Sequence, residues 1–142
     1  MKNFEEIRVG QQVIAIIIYS TFNKNGIEFF TPGNFSQQLG YMKHVKGYKI
    51  QEHIHKLQAR EVKYTQETLF IRSGRVRVDF YTDDKVYFTS RELKTGDVIL
   101  LASGGHGFEF LEETEMIEVK QGPHSGDDDK ERFEGSGKNM RE

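Results

Sequence analysis

Apolar residues in this chain fall in short runs and in alternation, and nowhere at a sustained helical spacing. Residues 13–19 form a β-branched run containing four Ile and one Val, the pattern of a strand buried on both faces. Residues 98–101, Val-Ile-Leu-Leu, repeat that pattern in shorter form. Residues 75–81 alternate cleanly: Val76, Val78 and Phe80 share one face, and Arg75, Arg77 and Asp79 the other. Further strands are predicted over 27–31, 39–45, 48–56, 85–90, 108–111 and 116–120, with one bent strand or two within 61–71. Turn residues separate them, at 23–26, Pro32-Gly33, Lys46-Gly47, Ser73-Gly74, Asp83-Asp84, 93–97 and the glycines of 104–107. Residues 34–38 are polar and compatible with a short helical turn. Short strands at roughly 8–12-residue spacing predict an all-β sandwich or barrel.

Composition narrows this further. A length of 142 residues suits one domain with a real core. The pattern ends near residue 124, so 1–124 is expected to be that domain. Residues 125–142 hold Asp127-Asp128-Asp129, mixed charges and Gly-Ser-Gly, a solvated and flexible tail ordered at most to about Phe133. A net charge of −2 produces no strong field toward nucleic acid or membrane, so neither is an expected partner. The N-terminus carries charge before any apolar run and lacks a small-residue cleavage site, so no signal peptide is expected and the location expected is cytoplasmic. With no cysteine, disulfides, thiolate sites and a Cys nucleophile are excluded, leaving His and carboxylate as metal ligands.

Those ligands have a pattern. His53 and His55 lie two apart on a predicted strand, so both imidazoles leave one face, close enough to grip one ion. Glu67 opens the next strand-like run and can add a carboxylate. His106, within the glycine cluster, supplies a third imidazole. Gln51 shares the His face. His44 and His124 read as surface residues, and the arginines as solvated faces or ion pairs. Gly104 to Gly107 lacks the Lys-Ser/Thr of a phosphate loop and reads as a bend.

Taken together these residues resemble the cupin superfamily, whose first motif is G-x5-H-x-H-x3,4-E-x6-G. Gly47, His53 and His55 match its front half, and Glu67 and Gly74 its back half. Eleven residues separate His55 from Glu67 where the family has three or four; Glu61 is nearer that spacing but lacks the glycine seven residues on. The second motif, G-x5-P-x-G-x2-H-x3-N, is matched in frame by Gly96, Ala102 and Gly104, with Ala102 replacing Pro, His106 one residue early and Phe110 in place of Asn. The resemblance spans about residues 37–121. It implies a cupin-type jelly-roll β-barrel of antiparallel strands. It also implies one divalent transition metal ion (Fe, Mn, Ni, Cu or Zn) held by His53, His55, Glu67 and His106, and a homodimer.

Small cupins of this layout resemble isomerases and epimerases of carbohydrate or surface-polysaccharide metabolism. The function expected is therefore a metal-dependent enzyme on a small sugar-type substrate. Glu67, if it is not a ligand, or Tyr64 would move the proton; Gln51 and Phe108 would line the substrate. Two alternatives stand beside it, an Fe(II)-dependent dioxygenase with Phe70, Phe108 and Phe110 as an apolar wall, and a non-catalytic small-ligand-binding module.

Overall fold

The computed structural model describes residues 3–135. Its strands are β1 (Phe4–Val9), β2 (Gln12–Ile18), β3 (Gly26–Phe29), β4 (Gly40–Lys43), β5 (Glu67–Ser73), β6 (Arg75–Tyr81), β7 (Tyr87–Lys94), β8 (Val98–Leu101), β9 (Gly105–Phe110) and β10 (Glu115–Lys120). Among the described residues the one helical element is a 3-10 turn at Gly126–Asp129, and no helix is long and apolar enough to cross a membrane.

The strands form a five-stranded sheet in the order β1-β2-β8-β5-β10, a three-stranded sheet β7-β6-β9 and the hairpin β3-β4, all antiparallel. The two larger sheets share one core. Ile17, Leu69, Ile71, Ile99 and Leu101 meet Val76, Val78, Phe80 and Leu93 across it. The run 13–19 is buried on both faces because a second core lies on its other side, where Ile16, Ile18 and Leu100 pack under Phe30, Phe22 and Phe35. Gly74 turns β5 into β6 at φ +99, with the backbone of Glu113 against its Cα, so no side chain fits there.

Four expectations are corrected. Residues 48–56 form no strand; 44–66 run without regular structure, and every residue from 42 to 64 is exposed. The alternation is present but no neighbouring strand supplies a ladder, and alternation alone does not hold an extended segment. The second strand-like stretch begins only at Glu67. His106 lies in β9 and not in a bend, because β6 supplies its ladder: Phe80 faces His106 and Tyr81 faces Gly105. Residues 34–38 are turns without helix.

The predicted tail divides. Residues 136–142 lie outside the described residues. Before them the chain crosses the outer face of the smaller sheet, and the Phe133 ring sits edge-on to Tyr81 at 5.1 Å.

Candidate functional site

The two larger sheets meet differently along their two sides. On the β1–β7 side they are joined by an ion pair of a buried Glu5 carboxylate with a half-buried Arg91. Arg91 on β7 donates from Nε and Nη2 to both carboxylate oxygens of Glu5 on β1, at 2.9 and 2.7 Å, and the Tyr19 hydroxyl donates to the same carboxylate at 2.8 Å. Burial and this bond push the Tyr19 hydroxyl well above the usual phenol range. A bidentate, charge-assisted arrangement of this kind closes and fixes that side.

On the opposite side the edges of β10 and β9 stay apart: among the described residues β10 pairs only with β5 and β9 only with β6. Inward-facing positions here are polar. In β5, Ile71 and Leu69 enter the core; two residues earlier the same face carries Glu67. Lys120 lies directly across from Glu67, and Glu118 across from Leu69, so Glu118 is the diagonal neighbour of Glu67 on that face. From the smaller sheet, His106 lies opposite core residue Phe80, and its ring meets Phe108 edge-on at 5.6 Å.

These groups perturb one another. Burial first, then the hydrogen bond and negative charge of Glu118, push the Glu67 carboxyl up to about 7; Lys120 and Lys130 oppose this in part. Burial pushes the His106 imidazole down, with Lys130 adding to the effect and Glu118 opposing it, so the ring is held in its neutral form.

Glu67, Tyr64, His106 and Phe108 line one cavity of about 820 Å³, within the roughly 300–1,000 Å³ range of small-molecule sites. The segment after β10 forms one wall. Thr65 donates to Asp129 at 2.5 Å, Lys120 lies 3.7 Å from Asp129, and Lys85 pairs with Glu131 at 2.7 Å.

The structure thus divides the expected residues into two groups. Glu67, Tyr64, His106 and Phe108 come together. Gln51, His53 and His55 do not join them. They lie on the exposed stretch, where His53 and His55 stand edge-on at 5.2 Å and His53 Nδ1–H donates to the Gln51 carbonyl at 2.9 Å. Among the described residues no three His, Asp or Glu side chains converge closely enough to hold a metal ion. The four-residue ligand set is therefore not brought together in this arrangement: Glu67 and His106 line the cavity, beside other carboxylates such as Asp129 and Glu131, while His53 and His55 stay on the exposed stretch.

Glu118 is the residue that sequence reasoning missed. Its signal was available in the alternation Met116, Glu118, Lys120, which places it on the face of a core methionine, but only the register with β5 brings it to Glu67. No protein-family model matches the chain, and no curated protein or solved structure matches it.

Proposed function

We propose that this protein is an enzyme that moves a proton on a small, hydroxyl-rich substrate of the sugar type, with isomerase- or epimerase-like chemistry. We further infer that its two sheets are an opened form of the cupin-type jelly roll. The antiparallel all-β arrangement and the motif resemblance over about residues 37–121 support the fold; the polar lining of the cavity supports the substrate class.

The observation that carries the reading is the placement of Glu67, on the inward face of β5 with its carboxyl pushed up to about 7, at one cavity with the half-buried His106. A general base is most effective when its pKa lies near the working pH, which is where Glu67 sits. In its ionised form Glu67 takes the proton from a carbon next to a carbonyl. The His106 N–H donates to the carbonyl oxygen as negative charge gathers there, without first having to lose a proton. Glu67 then returns the proton to the same carbon in the other configuration, or to the former carbonyl carbon while the hydroxyl proton of the adjacent oxygen passes through the His106 imidazole to the former carbonyl oxygen, completing the isomerisation. Tyr64 at the rim is placed to orient a hydroxyl.

The test is exchange in D2O, followed by NMR over a panel of aldoses, ketoses and their phosphates. Wild-type protein should place deuterium at the carbon beside the carbonyl, and Glu67→Gln should slow this by about 100-fold or more. Sugars that shift the His106 resonances without exchange would identify a non-catalytic binding module instead. A panel that neither binds nor exchanges sinks the reading.

A further inference from the structure

Gln66 and Glu67 are neighbours in the chain and leave the larger sheet on opposite faces. Glu67 shares the inward face of Leu69 and Ile71. Gln66 shares the other with Thr68, and both bond to the segment that crosses that face: Thr68 donates to the Gln37 side chain at 2.8 Å. Gln66 is only 5% exposed. Its Oε1 accepts from the Gln37 backbone N–H at 3.0 Å and from the Ser36 hydroxyl at 3.1 Å. A backbone N–H can only donate, so the amide oxygen is fixed on that side and the amide nitrogen on the other. Among the described residues this N–H2 group has no acceptor. No side-chain nitrogen or oxygen sealed from water lacks a partner among them, so the Gln66 nitrogen reaches an open space.

That space is a second cavity, of about 680 Å³, which Gln66 lines together with Val13, Phe35 and Ala102. Those three apolar residues belong to the second core, so the cavity lies across the sheet from Glu67 and His106. Gln12 lines it too and supplies the complement to Gln66. The Gln12 Nε2 donates to Asp83 Oδ2 at 3.1 Å and to Ser103 Oγ at 3.0 Å. A carboxylate only accepts, so both N–H bonds are committed and the Gln12 carbonyl is the end left to accept. The charges around the cavity are already answered: Lys63 lies 3.7 Å from Glu61, Arg8 pairs with Glu6 at 3.3 Å, and Asp83 accepts from Gln12.

We propose that this second cavity binds an uncharged ring bearing adjacent hydroxyls. A hydroxyl both accepts and donates: the Gln66 N–H2 serves the first role and the Gln12 carbonyl the second. Each amide is held at its other end, so little side-chain freedom is lost on binding. The apolar face of the ring lies against Phe35, giving the mix of apolar wall and few placed polar groups that a small-molecule site needs. An ion would leave water without finding an unpaired counter-charge, which selects a neutral ligand. The site goes beyond the proton-transfer reading and does not depend on it, since Gln66 and Gln12 border this cavity and not the one that holds Glu67 and His106.

The probes are the methyl α-glycosides of glucose, galactose and mannose, titrated into the full chain and followed by NMR. These glycosides have no free carbonyl, so they cannot undergo the exchange assigned to Glu67, and their failure to bind would leave that reading standing. At least one should shift the side-chain amide signals of Gln66 and Gln12 and the ring signals of Phe35 together and saturably. Gln66→Glu keeps the oxygen that Ser36 and Gln37 hold but exchanges the donor for an acceptor, and should weaken binding by about 10-fold or more. Should that variant not fold, the wild-type shifts decide alone. Glycosides that move none of these signals overturn the proposal, as do shifts confined to Glu67 and His106. A folded Gln66→Glu protein that binds as tightly as wild type overturns it as well.

Discussion

Replacing Glu67 with Gln removes a charge that the folded protein holds at a cost. The Glu67 carboxyl is raised from 4.5 to about 7, by burial first and then by Glu118. A folded-state value above the unfolded one means that the fold prefers the protonated form. That preference contributes fully below about pH 4.5 and is lost as the pH rises through about 7. At about 1.4 kcal/mol per pH unit, the rise amounts to roughly 3 kcal/mol; because the group borders an open mouth, solvent screening reduces this to about 1–2 kcal/mol. Gln is neutral at every pH, nearly the same size, and keeps an N–H to donate to Glu118. The variant should therefore match wild type near pH 4.5 and exceed it by about 1–2 kcal/mol near pH 8, or about 3–6 °C in Tm for a chain of this size. Urea unfolding across that range measures the difference directly, and the 13C resonance of the Glu67 carboxyl should titrate close to neutrality. A stability difference that stays flat with pH, or one in which wild type gains as the pH rises, refutes the coupling of Glu67 to Glu118 and to burial.

Two further outcomes follow from the contrast between the closed and open sides. Arg91→Met leaves the Glu5 carboxylate buried without its bidentate partner and should cost about 3 kcal/mol in urea unfolding, while adding Glu5→Gln should recover a large part of that loss. His53→Ala with His55→Ala touches only exposed side chains, so it should change stability by less than about 0.5 kcal/mol and leave the Glu67 titration where it was; movement of that titration would show that the pair reaches the cavity.

How much of this was legible in the chain depended on whether a local pattern sufficed. The strands β2, β6 and β8 were readable because their apolar positions and their core positions coincide: a β-branched run sits between two cores, and the alternating run turns Val76, Val78 and Phe80 into one. Residues 48–56 alternate nearly as well, yet form no strand, because a strand is a relation between neighbours and none pairs with this stretch among the described residues. His106 shows the converse. Three glycines around it suggested a bend, but β6 offers hydrogen bonds along its whole length and the glycines are carried into β9. The site follows the same division. Glu67 was identified by its place at the start of a strand, and His106 by its chemistry, but the Glu67 carboxyl is pushed up to about 7 by burial first and then by Glu118, fifty-one residues away in sequence and one diagonal step away across the β5–β10 ladder. A motif can name the residues that carry chemistry; the register of two antiparallel strands decides which of them are neighbours. For this chain that register sets Glu118 diagonally beside Glu67, while the two histidines of the motif stay on an exposed stretch away from the cavity.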